Sequence, residues 1–291
     1  MTDRRPIVVG ADGSHFADAA VRWAARDAAM RATELLIVHA VSPVMGTWLA
    51  TPVPADVLDS QHRLGADILR DAAQMARQAA GENLPVTTRE LSCAPAPALV
   101  QLSKDAQMVV VGNRGRGKVA RSLLGSVSWG LVHHAHCPVA VIRPPESTEG
   151  PSTAPTAPVL VGVDFSADSD LATELAFEEA SRRGVPLVAL HAWWSPGAFE
   201  FAGPEWETIR LEVEQSFAER FAPWQERYPG VEVRRVVVRD APAHEIALRS
   251  DDAQLVVIGS RGHGAIASTL LGSVSAAVVQ AVAAPVIVAR S

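Results

Sequence analysis

The sequence predicts two tandem, doubly wound α/β domains, each with five parallel strands and helices on both faces. Three observations lead to this fold class. Short apolar runs alternate with segments of helical spacing along the 291 residues, which favours parallel strands joined by helical crossovers. The whole order of runs then occurs a second time. One glycine spacing, G-2x-G-9x-G-S, also stands once in each half, at Gly112 and at Gly259.

In the first half, apolar runs predict strands at 7–10, 35–38, 86–91, 108–111 and 139–142. Apolar residues at helical spacing predict helices at 17–31, 61–80, 97–104 and 126–135. The proline-containing stretch 42–60 is expected to be irregular.

The second half follows the same plan. Strands are predicted at 159–163, 186–192, 231–238, 254–258 and 285–289, and helices at 169–183, 205–228, 244–249 and 273–283. Residues 144–158 contain five prolines among serine, threonine, glutamate and glycine, which is the composition of a linker. The predicted domains are therefore 1–143 and 159–291.

The composition argues against two classes of protein, nucleic-acid binders and membrane-spanning proteins. The net charge of −6 and pI near 5.8 argue against a nucleic-acid partner, which usually requires a basic surface. With two cysteines, no long apolar segment and no signal-like start, we expect a cytoplasmic protein without a membrane span.

The repeated glycine spacing predicts phosphate binding. Each copy directly follows a predicted strand and leads into a helix whose first residue is Ser126 or Ser273. Glycines allow backbone amides to approach an anion closely, and a helix start adds free N–H groups and the positive end of a dipole. Arg114 and Arg261, inside the motif, are candidates to add charge.

An aspartate follows the first strand of each half, Asp12 in one and Asp164 in the other. Each carboxylate is a candidate contact for a ribose hydroxyl or a metal-bound water, or else a cap of the next helix. Ser14 and Ser166 are alternative caps, which would leave the aspartates available to a ligand. The carboxyl ends of the first and fourth strands share one crevice if these strands are neighbours.

The sequence does not match three other motifs that bind nucleotides or metals: the P-loop, the dinucleotide fingerprint and a histidine metal site. Gly112-xxxx-Gly117-Lys118 resembles a P-loop, but Val119 stands where Ser or Thr must ligate Mg²⁺. A dinucleotide fingerprint belongs after the first strand, whereas the glycines here follow the fourth. The histidines near residue 135 lack metal-ligand spacing, so no side-chain metal site is predicted.

These motifs resemble those of universal stress proteins of the tandem, ATP-binding, actinobacterial type. The glycine motif is intact in both halves. Supporting matches are Val9-Gly10-Ala11-Asp12-Gly13-Ser14, Val161-Gly162-Val163-Asp164-Phe165-Ser166, His39-Ala40-Val41 and Cys137-Pro138-Val139. The resemblance covers everything except the linker.

The resemblance implies strand order 3-2-1-4-5 in each domain and ATP in each crevice, with Mg²⁺ or Mn²⁺ on the phosphates. Adenine would meet the backbone near Val41 and Trp193, and ribose would meet Asp12 and Asp164. The phosphate contacts it implies, with the two arginines included, are Gly112, Arg114, Gly115, Gly125, Ser126, Val127, Ser128, Gly259, Arg261, Gly262, Gly272, Ser273, Val274 and Ser275. It also implies a homodimer formed through last-strand edges.

We therefore expect an ATP-binding regulator in a stress or dormancy response, with no efficient catalysis. The alternative is a slow ATPase or nucleotidyl-transfer enzyme that uses the same crevice. Two departures, Phe165 after the second aspartate and Trp193 opposite Val41, predict that the two sites differ in affinity.

Overall fold

A computed structural model describes residues 5–41, 55–116, 124–144, 154, 156–192, 204–262 and 271–290. The chain divides into two compact units, Met1–Pro144 and Pro145–Ser291. Within the described residues, no helix is both long and apolar enough to cross a membrane.

The first unit alternates strands and helices throughout. Its elements are β1 (Ile7–Gly10), α1 (His15–Met30), β2 (Leu35–Ala40), α2 (Ala55–Ala80), β3 (Val86–Leu91), α3 (Pro95–Leu102), β4 (Met108–Gly112), α4 (Ser126–His134) and β5 (Val139–Ile142). All strand pairs within the unit are parallel, and the strands lie in the order β3-β2-β1-β4-β5.

The second unit repeats this architecture. Its elements are β6 (Val159–Gly162), α5 (Ala167–Arg183), β7 (Leu187–Ala192), α6 (Pro204–Arg227), β8 (Val233–Val238), α7 (Pro242–Ser250), β9 (Leu255–Gly259), α8 (Ser273–Ala281) and β10 (Val286–Ala289). Its parallel strands lie in the order β8-β7-β6-β9-β10. The predicted fold class is confirmed.

The largest difference from the sequence prediction is the start of α2. The helix begins at Ala55, six residues before the predicted start at residue 61. The prolines of 42–60 predict an irregular stretch, but proline disrupts a helix in its interior and is tolerated at its start. Asp56, in the first turn of α2, favours a helix start there.

Central strands and alanine-rich helix faces form the core of each unit. Every residue of β4 and of β9 is buried, and α1 buries five of its seven alanines. Helix and strand approach each other closely at Gly112, where a Cβ would lie 2.7 Å from the carbonyl of Phe16. Glycine is required here for packing, which brings the start of α1 directly over the end of β4.

Candidate functional site

The carboxyl ends of neighbouring strands bring the predicted site residues together. β1 pairs with β4, and β6 pairs with β9. Asp12 therefore emerges beside the glycine segment that follows Gly112, and Asp164 emerges beside the segment that follows Gly259. This is the position at which open parallel sheets bind ligands, the point where the strand order reverses.

Backbone hydrogen bonds fold the described part of each glycine segment into the same turn. In the first unit the Asn113 amide donates to the Ile142 carbonyl (2.8 Å), and the Gly125 amide donates to the Asn113 carbonyl (2.7 Å). In the second unit the Gly272 amide donates to the Ser260 carbonyl (2.8 Å). The chain thus leaves the strand and returns to it before the next helix starts. The intervening residues 117–123 and 263–270 lie outside the described residues.

The helices that follow the two glycine segments, α4 and α8, begin without a side-chain cap. Gly125 caps α4 and Gly272 caps α8, both in extended conformation and without a side-chain hydrogen bond. Neither helix has an acidic residue in its first turn. The first amides of a helix have no intrahelical acceptor, so these two starts are suited to an anion. The predicted contacts Ser126, Val127, Ser273 and Val274 lie in these first turns.

Two predicted phosphate contacts, Ser128 and Ser275, are buried and already donate a hydrogen bond. The Ser128 hydroxyl donates to the Gly112 carbonyl, and the Ser275 hydroxyl donates to the Gly259 carbonyl, each at 2.7 Å. These bonds fasten the helix start to the strand end. The hydroxyl protons are therefore engaged in positioning the turn, and only the backbone amides remain for a ligand.

Asp12 links the start of α1 to the glycine segment. Its Oδ1 accepts hydrogen bonds from the Ser14 amide (2.9 Å) and the Ser14 hydroxyl (2.6 Å), and its Oδ2 accepts from the Arg116 amide (3.0 Å). Ser14 is the N-cap of α1, because its hydroxyl accepts from the Ala17 amide (3.3 Å). The carboxylate is thus held at the crevice and is not the helix cap.

Asp164 makes the same contacts with its neighbouring serine in the second unit. Its Oδ1 accepts from the Ser166 amide (3.0 Å) and hydroxyl (2.6 Å), and Ser166 caps α5. Glycine at the end of the G-2x-G segment is needed beside each carboxylate. A Cβ at Gly115 would lie 2.5 Å from Asp12 Oδ2, and one at Gly262 would collide with Asp164 Oδ2.

A histidine near the end of the second strand supports each aspartate loop. His39 Nδ1 lies 2.7 Å from the Ala11 carbonyl, and His191 Nδ1 lies 2.8 Å from the Val163 carbonyl. A carbonyl partner requires the proton on Nδ1. Burial lowers the pKa of His191 below its ordinary value of 6.5, and this exceeds the opposing effects of the Val163 carbonyl and the Asp164 charge. The neutral ring is therefore favoured.

The two arginines of the glycine segments differ in their partners. Asp168, in the first turn of α5, accepts from Arg261 Nε (3.1 Å) and from the Ser260 hydroxyl (2.7 Å). Burial raises the pKa of Asp168, but the hydrogen bonds and charge of its partners outweigh burial and lower the pKa below its ordinary 3.8. In the first unit, Arg114 Nε is buried and has no hydrogen-bond partner among the described residues.

Aromatic rings also set the second crevice apart. Phe165 stands where the first unit has Gly13, and both have a positive φ, 64° and 75°. The Phe165 ring lies 4.8 Å from His191 and 5.4 Å from Phe217, with the Arg220 guanidinium 4.8 Å above it. A positive φ strains any residue with a Cβ, and such strain is concentrated at functional sites.

The predicted adenine contacts lie after the second strand of each unit. The Val41 amide donates to the Leu91 carbonyl (2.8 Å), so it is already paired with β3. Trp193 lies outside the described residues.

Among the described residues, three metal-ligating side chains approach within 4.8 Å of one another at the start of α7: Asp240, His244 and Glu245. Asp240 and His244 are about half exposed, and Glu245 lies 3.1 Å from Arg249. The sequence analysis did not single out this group. These three residues lie in α7 or just before it, and none of them is part of a glycine segment.

Three features of the site escaped the sequence analysis. They are the histidine contacts to the aspartate loops, the anchoring role of Ser128 and Ser275, and the pairing of Asp168 with Arg261. The Asp168–Arg261 pair could have been suspected from an alignment of the two repeats, because Asp168 falls opposite Phe16. The histidine contacts could have been suspected because His39 and His191 occupy equal positions in the two repeats.

The fold and site together define a class: a tandem doubly wound α/β protein with an anion-suited helix start at the crevice of each unit. The family model described as the universal stress protein family matches residues 3–143 and 156–290. The chain belongs to the universal stress protein family.

Individual relatives agree with this assignment. A universal stress protein of Mycobacterium tuberculosis (strain H37Rv) is 50% identical over 286 residues, which are 98% of this chain and 96% of the relative. One of Mycolicibacterium smegmatis is 44% identical over 286 residues, with the same coverage. The crystal structure of a universal stress protein from Archaeoglobus fulgidus has a TM-score of 0.70 at 23% identity, covering 98% of this chain and 96% of that one.

Proposed function

We propose that this universal stress protein binds ATP in the crevices of its units and acts as a nucleotide-dependent regulator in a stress or dormancy response. One observation carries the proposal. The glycine-capped starts of α4 and α8 follow glycine segments that lie against Asp12 and Asp164, and these starts lack both a capping side chain and a first-turn acid. This combination favours a polyanion that also offers hydroxyl groups, as a nucleotide does.

The phosphates would be bound by backbone amides of the first turns, at Ser126 and Val127 in one unit and at Ser273 and Val274 in the other. Hydrogen bonds that involve a charged group contribute about 1.5–3 kcal/mol each, so a few of them reach micromolar affinity, about −8 kcal/mol. The Ser126 and Ser273 hydroxyls add donors at the same place. Gly112, Gly125, Gly259 and Gly272 shape the turn, and Ser128 and Ser275 hold it.

The ribose would meet Asp12 or Asp164. Each carboxylate is fixed in place by its neighbouring serine, and a fixed acceptor loses little entropy when a hydroxyl donates to it. Adenine in the first unit would meet Val41 through its carbonyl or side chain, because the Val41 amide is paired with Leu91. The Trp193 contact in the second unit stays a prediction.

A divalent ion, Mg²⁺ or Mn²⁺, would accompany the phosphates. Mg²⁺ retains several waters and is usually held by substrate phosphates with one or two carboxylates. The site fits this mode, because it offers amides for the phosphates and a nearby aspartate, without a cage of side-chain ligands. The ion would neutralise phosphate charge and orient the chain of phosphates over the helix start.

Regulation would follow from stabilisation of the ligand-bound conformation. A ligand at one hundred times its Kd stabilises the folded state by about 2.7 kcal/mol. Two further parts of the proposal, a cytoplasmic location and a homodimer formed through last-strand edges, are tested by cell fractionation and by sedimentation velocity with and without nucleotide.

The decisive experiment analyses the nucleotide that the purified full-length protein retains, together with its melting temperature in MgATP. We expect adenine nucleotide in the denatured extract and a higher melting temperature with MgATP. Asp12→Ala or Gly115→Asp should remove the first site's share of both signals. Asp71→Ala is the matched control, because that exposed carboxylate lies on α2, where it pairs with Arg70.

Absence of nucleotide from the extract together with an unchanged melting temperature would refute the proposal. Labelled ATP turnover, measured in the same samples, separates a regulator from a slow enzyme. Turnover above background that Asp12→Ala abolishes would favour the enzyme.

A further inference from the structure

Phe16 and Asp168 occupy the same structural position in the two units. A Cβ on Gly112 would lie 2.7 Å from the Phe16 carbonyl, and a Cβ on Gly259 would lie 2.9 Å from the Asp168 carbonyl. Both residues therefore lie over the end of the strand that carries the glycine segment. The first unit has an apolar ring at this position and the second unit has a carboxylate.

The carboxylate in place of the ring gives the neighbouring arginine of the second unit, Arg261, an ion-pair partner. Asp168 holds Arg261 through Nε at 3.1 Å and through a longer contact of 3.5 Å to the second carboxylate oxygen. The Asp168 side chain is 13% exposed and the Arg261 side chain is 48% exposed, so solvent screens this pair less than it would two fully exposed charges. Ser260, the counterpart of Asn113, donates its hydroxyl proton to the same carboxylate.

In the described part of the first unit, the corresponding groups have no such internal partners. Asn113 Oδ1 and Arg114 Nε are both buried without a hydrogen-bond partner among the described residues. A buried polar group without a partner is costly, and a ligand that supplies one recovers that cost. The polar groups at this position of the first unit therefore have no internal partner among the described residues, whereas those of the second unit are satisfied internally.

We propose that Asp168 is a specificity-determining residue that makes the second site select nucleotides with fewer phosphate charges than the first site accepts. This inference rests on the proposed nucleotide-binding function and narrows it: both crevices bind a nucleotide, but only the first prefers the triphosphate. The first site takes a nucleoside triphosphate. The second takes a nucleoside or nucleoside monophosphate in preference to a triphosphate.

Electrostatics give the reason. An ionised Asp168 repels an incoming triphosphate and neutralises the arginine that would otherwise attract it. A ligand with little or no phosphate charge suffers little of this repulsion, while it keeps the contacts to ribose and adenine. Because Asp168 stays ionised at neutral pH, the discrimination operates under ordinary conditions.

Isothermal titration of the full-length protein with MgATP, AMP and adenosine tests the proposal. We expect wild type to bind MgATP at one strong and one weak site. Asp168→Asn should strengthen the weak site by about tenfold or more, a factor that corresponds to about 1.4 kcal/mol. Adenosine affinity should change far less. Asp170→Asn is the matched control, because that exposed carboxylate lies on the same first turn.

Two further variants separate specificity from a loss of structure. Phe16→Asp places a carboxylate beside Arg114 and should weaken MgATP at the first site without loss of adenosine binding. In an Arg261→Ala background, Asp168→Asn should give a smaller gain, because part of its effect is to release that arginine.

Each outcome has a distinct meaning. Two equally strong MgATP sites in wild type, or an Asp168→Asn protein with unchanged MgATP affinity, would overturn this inference and leave the proposed function intact. Failure of every nucleotide to bind wild type at either site would overturn the proposed function and this inference with it.

Discussion

Replacement of Gly115 by alanine should weaken the first nucleotide site with little loss of stability. The added Cβ would lie 2.5 Å from Asp12 Oδ2, well inside van der Waals contact. The carboxylate is the end of a flexible side chain, so it can rotate away. Rotation would break its hydrogen bond from the Arg116 amide (3.0 Å) and disturb those from Ser14.

The expected magnitude follows from those bonds. The loss of one charge-assisted hydrogen bond costs about 1.5–3 kcal/mol where the groups are buried, and Arg116 is exposed, so we expect about 1 kcal/mol in the free energy of unfolding. The ligand loses more, because the displaced carboxylate no longer meets the ribose. We expect a decrease of about tenfold or more in MgATP affinity at this site, or about 1.4 kcal/mol.

Titration calorimetry and thermal melts of the full-length protein measure both effects. Gly230→Ala is the matched control, because a Cβ there would have no atom within 4 Å. In an Asp12→Ala background, Gly115→Ala should have little further effect, since both changes remove the same contact. Wild-type MgATP affinity in Gly115→Ala would refute this reasoning.

Three further predictions concern the scaffold around the sites. Ser128→Ala should destabilise the first unit by about 1–2 kcal/mol in denaturant unfolding, because the buried Gly112 carbonyl loses its donor; an unchanged midpoint would contradict the anchoring role. Ala32 has φ 51°, where the second unit has Gly184 at φ 65°. Ala32→Gly should therefore raise stability by about 1 kcal/mol and Gly184→Ala should lower it, and a loss of stability in Ala32→Gly would count against relief of strain. Proton NMR of the His191 ring should give a pKa below 6.5, so the contribution of its neutral form to stability is complete above pH 6.5 and is lost as pH falls through the lowered pKa; a value above 6.5 would reverse the sign.

The fold class could be predicted from the sequence because the same order of apolar runs and helical segments occurs in both halves, so each half supports the assignment of the other. Apolar runs such as 108–111 become fully buried strands, and Gly112, the next residue, extends β4. The ends of helices were less predictable where proline, which favours irregular structure, lies near residues that favour a helix. The proline-containing stretch 42–60 predicts irregular structure, whereas α2 already begins within it, at Ala55.

Side-chain partners were the least predictable feature of the site. A sequence motif shows that Arg114 and Arg261 occupy equal positions, but it does not show that α5 presents a carboxylate to only one of them. Ser128 likewise fits a phosphate-binding motif by type and position. Its burial against the Gly112 carbonyl depends on the angle at which α4 meets the strand, which the sequence does not encode locally.

Backbone amide NMR during a MgATP titration tests the central claim most directly. The account predicts the largest shifts at the first-turn amides of α4, Ser126 and Val127, with Asp12→Ala weakening the response. Nucleotide binding that leaves those amides unshifted, or no binding at all, would contradict it.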